Sequence, residues 1–432
     1  MKILKTSVVI CGAGPAGLIL AHLLGSEDVA VVLLEKLEST VTEPRAIAID
    51  GESLRTLQKL GLLEGFEHEL LSGLTAQYVN GEGKLLFQAG SPEFRPYGFS
   101  MVNSFDQPAL DRYLAQTLEK RSSVEVYFSH ILNNFKQDES GVRAYCTDGE
   151  GEELEIEADY LVGCDGGRST VRSLLNIEMS GESNPQPWLV IDTIDPHLDG
   201  QLDCRFYCDP QRPGMTIRKR HGKRRWEWML MPGEEREFLL EDENIYKIIA
   251  PYTDVNKVDI YRKRVYDFHA IMADKWQEGR VFIAGDAAHM TPPFAGQGLN
   301  SGFRDVSNLS WKLAMVVKGN ANPQILNTYE EERRDHAWEL IETARNLGDQ
   351  IQPVDPLQAA ERDNFFAELN KDPAAVKALE DTMLKSTLER SVEKGLIVAD
   401  GIGTASGRFL IQPEVSVGRG KKLLDECLGA GF

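Results

Sequence analysis

Four glycine-containing stretches hold residues of the types and spacing that chemistry requires. In the first, GAGPAG, Gly12 allows a tight strand-to-helix turn and Gly14 lets the backbone approach a pyrophosphate. Gly17 lets the helix pack closely on the strand, and the helix N-terminus directs free N–H groups at phosphate oxygens. Glu35 stands 18 residues after Gly17, at the end of the next apolar run, where its carboxylate can accept from ribose hydroxyls. Strand, glycine turn, helix and acid together predict dinucleotide binding; the glycines alone would equally make a structural turn.

The second stretch, GRVFIAGDAAH, ends a strand in Gly285 and Asp286. An aspartate there either binds another ribose or ribityl hydroxyl or caps the following turn. In the third, PPFAGQGLN, Pro292 and Pro293 fix an extended loop, and its glycines permit a flat ring to approach the backbone. A helix follows at once, so its mouth favours negative charge. A reduced flavin is anionic at its pyrimidine end, and this loop is where one is expected; the alternative is a generic loop capped by Asn300. In the fourth, GCDGGRS, Asp165 follows a buried strand and needs hydrogen-bond partners, from a ligand or from its own turn.

These stretches need a frame. SVVIC (7–11) and AVVLL (30–34) read as buried strands around an intervening helix, a βαβ start. Helical spacing recurs over 51–63, 107–119, from 298 to 319, over 326–347 and over 370–395. Short alternating runs between 124 and 163 predict a β-meander. Aromatic-rich runs between about 180 and 275 predict a second, mostly antiparallel sheet. VFIA (281–284) returns to the first domain. The fold class is therefore α/β, a Rossmann-like domain with an inserted antiparallel sheet and C-terminal helices.

Composition narrows the partners. The chain has 432 residues, 42% hydrophobic and 26% charged, with a net charge of −20, which argues against nucleic acid and against an anionic membrane surface. No stretch has the length of a membrane span, and the apolar run from Val8 to Cys11 is too short for a signal peptide. Six cysteines without a C-x-x-C pair predict reduced thiols in the cytoplasm and no metal site. No Ser/His/Asp triad is apparent, and His269 and His289 are more simply structural.

With these motifs in view, the chain resembles the flavin-dependent aromatic hydroxylases, the superfamily of p-hydroxybenzoate hydroxylase. GAGPAG, CDGGRSTVR and GDAAHMTPPFAGQGLNSGFRD occur in that family's order. YEEERRDHA, EPRAIAID, RRWEWMLMPGE and FLIQPEV look most like the 3-(3-hydroxyphenyl)propionate hydroxylase branch. The resemblance implies a glutathione-reductase-like FAD domain over 1–179 and 276–350 and a substrate sheet over 180–275. Residues 351–432 would be a helical segment and tail. Branch members often continue into a thioredoxin-like domain, so the chain is expected to be either a short form or truncated before one.

The resemblance also implies site roles. Gly12, Gly14, Ala16, Gly17 and Glu35 would hold the ADP half of a non-covalent FAD, and Arg45 and Gln107 its flavin side. Asp165 would sit in a motif linked to FAD and nicotinamide, and Asp286 beside Gly285 would bind the ribityl chain. Pro293 would lie near the reacting edge, and Gly298, Leu299 and Asn300 at the pyrimidine end. NADH or NADPH would bind transiently and reduce FAD; O2 would then give a flavin hydroperoxide that hydroxylates a phenol, with a homodimer as the expected assembly.

The phenol is expected to carry a short carboxylated side chain. Residues 218–225, RKRHGKRR, place six cations in eight positions. Most are expected on a solvated hairpin tip, while Arg218 or Arg225 could face the flavin and grip the carboxylate. Two other readings stay open: a polyketide-tailoring or other phenol hydroxylase of the superfamily, and a non-catalytic FAD-fold binding protein. The GQGLNSG loop argues against the latter, because a scaffold needs no glycines facing a ring.

Overall fold

Val8–Cys11 and Val31–Leu34 are buried along their whole length, as strands covered on both faces must be. In the computed structural model, which describes residues 2–183, 186–196, 204–379, 394–396, 408–418 and 420–429, they lie side by side in a parallel sheet. Its order is Val281–Ile283, Tyr160–Gly163, Val8–Cys11, Val31–Leu34 and Val124–Tyr127, with Gln277–Glu278 antiparallel at one edge. The helix Pro15–Ser26 packs on this sheet, and the helix Gly298–Val317 lies against it so closely that a Cβ on Gly302 would sit 3.6 Å from that of Ala16.

The meander expected over 124–163 divides between two sheets. Val124–Tyr127 and Tyr160–Gly163 join the parallel sheet, whereas Ile131–Asp138, Gly141–Thr147 and Glu153–Ala158 form a separate sheet with Lys2–Lys5. Helices at Gly51–Lys59, Gln107–Leu118 and Thr328–Ile351 stand where spacing predicts them, with shifted ends. The helix expected over 370–395 falls largely outside the described residues; Pro356–Leu369 is helical before it.

The second sheet is larger than the stretch 180–275. It runs Asp259–Tyr266, Trp188–Ile194, Lys223–Met229, Gly214–Arg218, Cys204–Cys208, and then takes in Ala76–Asn80 and Leu85–Ala89 from the N-terminal half. Those two strands close an edge that would otherwise expose a row of unpaired backbone groups.

The cation cluster 218–225 corrects its expectation. His221 and Gly222, both at positive φ, do form the hairpin turn. The tip is not a solvated cation cluster, because Lys219 is 3% exposed and Arg224 and Arg225 are 1% each. Strand alternation sends Arg224 to one face, stacked over Trp226 at 5.5 Å, and Arg225 to the other. There the fully buried Asp192 accepts from Arg225 (Nε, 2.9 Å; Nη2, 3.1 Å), Arg262 (2.6 Å) and Lys219 (3.4 Å). Asp106 takes Lys219 at 3.3 Å and Lys223 at 2.8 Å. Arg225 also donates to the carbonyls of Pro44 (2.8 Å) and Arg45 (2.7 Å), fastening the sheet to the first domain.

Burial pushes the Asp192 carboxyl up, but Arg225 and Lys219 outweigh it and hold it at about 2. Asp192→Ala should lower stability by about 3–5 kcal/mol in urea denaturation, since it leaves buried cations uncompensated. The ordinary carboxylate value is about 4 and the folded value is lower. The contribution of Asp192 is therefore present above about pH 4 and should be lost as pH falls from there to about 2, read as a falling urea midpoint.

Candidate active site

The strand ends of the parallel sheet converge on a cavity of about 280 Å³. Gly12, at φ +102°, makes the turn after Val8–Cys11; a Cβ there would sit 2.5 Å from the Cys164 carbonyl oxygen. A Cβ on Gly17 would run into the Gly12 carbonyl. Gly14 differs: a Cβ would meet nothing, because Gly14 and Ala16 line the cavity itself. Glu35 does not line it. Its two oxygens accept from Ala13 N (2.8 Å) and Leu37 N (3.0 Å), so it holds the glycine turn in shape and has only its remaining lone pairs for a ribose.

Gly285, Asp286, Pro293, Gly298 and Leu299 line the same cavity, as do Arg45 and Gln107. Gln107 accepts from Arg45 N (2.9 Å) and Ala46 N (2.7 Å) and donates to Asp111, so its amide positions the Arg45 segment. The Asp286 side chain is exposed on the cavity side, and the protein packed around its turn pushes its carboxyl above the ordinary range. Asp305, fully buried in the helix Gly298–Val317, accepts from Gly285 N (3.1 Å), His289 (2.7 Å) and Arg333 (3.0 Å). Burial pushes its carboxyl up, yet His289 and Arg333 bring it below the ordinary range. A charged Asp305 thereby fixes the turn that presents Asp286.

Two predicted residues work through their neighbours. Asn300 is 1% exposed, and its side chain accepts from Asp50 N (3.0 Å) and Ser53 Oγ (2.7 Å) and donates to Gly296 O (2.7 Å). Only its backbone is left for a ring. Asp165 accepts from Ser169 Oγ (2.5 Å), Thr170 N (2.7 Å) and Val171 N (3.1 Å), the satisfied turn aspartate of the two readings. Arg218 and Arg225 are corrected as substrate ligands. Neither lines the cavity, and the Arg225 guanidinium is committed to Asp192 and two carbonyls.

The cavity's roof went unnoticed in the sequence. Trp188, Phe206, Met215 and Glu227 project into it from the large sheet. The signal was there in RRWEWM, whose alternation puts Arg225 and Glu227 on one face and Trp226 and Trp228 on the other. A second, larger cavity of about 710 Å³ adjoins the first, sharing Phe206, Met215, Pro293 and Phe294 with it.

A flavin dinucleotide fits these residues. A Cβ on Gly14 or on Gly298 would meet nothing, leaving backbone open for close approach. Neither the helix at Pro15 nor that at Gly298 has a side-chain cap, so first-turn N–H groups are available to anionic oxygens. The buried Thr291 hydroxyl on the cavity wall has no partner among the described residues.

Comparison with known proteins agrees. Residues 5–344 match the family model described as "FAD binding domain", and the chain belongs to that family, the FAD-dependent aromatic monooxygenases. Over 432 residues it is 37% identical to a 3-(3-hydroxy-phenyl)propionate/3-hydroxycinnamic acid hydroxylase of Burkholderia cenocepacia, covering 99% of this chain and 78% of that one. A protein of the same name from Comamonas testosteroni is 42% identical over 372 residues, 85% of this chain and 62% of the relative, so the match spans about three fifths of that protein. Among solved structures, the flavin-dependent monooxygenase PieE in complex with FAD and substrate superposes with a TM-score of 0.83 at 22% identity, over 99% of this chain and 84% of that one. OxyS anhydrotetracycline hydroxylase from Streptomyces rimosus gives 0.76 at 26%, over 98% and 83%.

FAD is accordingly the cofactor, and NAD(P)H the co-substrate typical of the family. Bound in the cavity, FAD would supply the redox chemistry, taking electrons from the nicotinamide and passing them to O2. Gly14 and the two helix N-termini would face its anionic groups, and Asp286 its hydroxyls. A charge-assisted hydrogen bond of this kind contributes about 1.5–3 kcal/mol. Asp286→Ala should then weaken FAD binding roughly 10- to 150-fold in a fluorescence titration, with the fold intact by circular dichroism.

Proposed function

We propose that this chain hydroxylates a phenol with a short carboxylated side chain, ortho to the existing hydroxyl, at the expense of NAD(P)H and O2. The observation that carries this reading is the larger cavity, which meets the cofactor cavity at Phe206, Met215, Pro293 and Phe294. Its walls are mostly apolar and aromatic, with Tyr78 stacked between Phe206 (4.5 Å) and Phe87 (4.1 Å), so a ring bound there is shielded from water. The names of the relatives supply the substrate class.

Among the described residues the larger cavity is lined by no Lys or Arg. The carboxylate is then held by hydrogen bonds from neutral donors on that wall, such as Gln88, Asn346 and Gln350, or by the exposed Arg45 in the cofactor cavity. A volume of about 710 Å³ also admits a multi-ring phenol, which favours a polyketide-tailoring hydroxylase as the second reading. Six cysteines, all free, fit a reducing compartment, and we place the protein in the cytoplasm.

With FAD bound, 3-(3-hydroxyphenyl)propionate should accelerate NAD(P)H consumption and be recovered as the catechol by chromatography. Equal consumption with and without the acid, and no catechol, would overturn the assignment. A multi-ring phenol giving product where the acid gives none would establish the second reading.

A further inference from the structure

The roof of the cavity carries one acid, Glu227. The sheet's register places Phe206 opposite Met215, Met215 opposite Glu227 and Glu227 opposite Val190, one row across four strands on the cavity face. Glu227 therefore stands in the wall beside Phe206 and Met215, which line both cavities. Unlike Asp192, it has only a loose ion pair. Arg225 Nη1 lies 3.8 Å away, too far for a hydrogen bond, and donates instead to the Arg45 carbonyl. Among the described residues no hydrogen bond reaches the Glu227 carboxylate. A buried carboxylate on a cavity wall, with one loose ion pair and no hydrogen bond among the described residues, keeps its lone pairs for a donor that enters the cavity.

We propose that Glu227 is the catalytic base that accepts the phenolic proton of the substrate, an inference that rests on reading the cavity as a phenol site. The phenol O–H bond breaks, its proton passes to a Glu227 carboxylate oxygen, and the electron pair stays on the phenolic oxygen. From there it raises electron density at the ring carbon ortho to it, the position that takes oxygen from O2 while NAD(P)H supplies the electrons. When the ring regains aromaticity the oxygenated ring carbon loses its proton to water, the phenolic oxygen takes back the proton held by Glu227, and the carboxylate is restored.

The surroundings suit the task. Burial pushes the Glu227 carboxyl above the ordinary range and Arg225 draws it only part of the way back, which narrows the gap to a phenol. The charged groups about it are Arg225 on its own strand, Asp192 and Arg262 on neighbouring strands, Arg264, paired with Glu43, and Arg45 and Asp286 on the cofactor side of the cavity. Cations dominate on the sheet side, so negative charge passing between the carboxylate and the phenol stays compensated.

The test compares the FAD-loaded full chain with Glu227→Gln, using 3-(3-hydroxyphenyl)propionate and a ring-fluorinated analogue whose phenol is more acidic. FAD content is measured alongside, so that rates are compared per bound flavin in both proteins. Catechol formation at saturating phenol should fall about 100-fold or more, the range of general-base catalysis, while NAD(P)H is still consumed and appears as peroxide. In the unsubstituted chain, hydroxylation should fall as pH drops and Glu227 takes up a proton. That acid limb should vanish in Glu227→Gln, and the loss should shrink with the fluorinated phenol, which needs less help to ionise. Glu227→Asp should recover part of the rate. Retention of both the acid limb and full coupling in Glu227→Gln would overturn the role of Glu227. If the unsubstituted chain hydroxylates neither phenol, the phenol reading falls, and the proposal with it.

Discussion

The position of the large sheet over the cofactor cavity depends on one buried carboxylate. Asp192 gathers Arg225, Arg262 and Lys219, and Arg225 carries the connection on to the Pro44 and Arg45 carbonyls. Gln107 holds that same segment from the other side through the Arg45 and Ala46 amides. Roof and floor of the site are thus referred to one short stretch of backbone. Apolar contact alone would fix this less sharply: Trp188, Phe268 and Phe294 meet edge-on or tilted at 5.3–6.1 Å and resist separation of the layers more than sliding. Directional hydrogen bonds to ions set a register, at the cost of desolvating several charges that must then all be met.

The same economy recurs in the motifs. Glu35, Asp165, Asn300 and Asp305 sit in or beside glycine-rich stretches, yet most of their hydrogen bonds go to backbone N–H groups and neighbouring side chains rather than into the cavity. The surfaces left to face a dinucleotide are glycine backbone, helix N-termini and a few side chains, Asp286 foremost. A phosphate or an anionic ring edge is well served by preorganised N–H groups, and a carboxylate beside it would repel. Carboxylates are useful one layer back, where they aim those N–H groups.

This explains which parts were legible in the sequence. GAGPAG and its flanking strands could be read because the constraints on Gly12, Gly14 and Gly17 are local: a turn, an open face and a helix contact, all within six residues. Asp286 was equally legible, as a strand-ending acid. The fate of RKRHGKRR was not. Alternation tells which side chains share a face but not what lies opposite, and the partner of Arg225 is Asp192, 33 residues earlier on another strand. Six cations in eight positions look solvated until a buried acid is found for them. The recruitment of Ala76–Asn80 and Leu85–Ala89 was hidden for the same reason, since pairing with Cys204–Cys208 is set by topology over more than a hundred residues. Glu227 shared a face with Arg225 in plain view, but an acid two residues from an arginine is most simply taken for its partner.

That Arg225 meets Glu227 only at 3.8 Å, with no hydrogen bond, has a consequence for how a phenolic acid of the proposed kind would sit. A carboxylate buried against Glu227 would face like charge, and Arg225, the nearest cation, is already spent on Asp192. The acid group would therefore turn away from the roof, toward the neutral donors of the larger cavity or Arg45. The ring of the proposed substrate would then rest against Phe206 and Met215 with its hydroxyl, the only neutral donor of the molecule, toward Glu227. Repulsion of one end and attraction of the other would orient the ring, and the buried pairs around Asp192 support that arrangement by keeping Arg225, Arg262 and Lys219 from drawing the acid group to the roof.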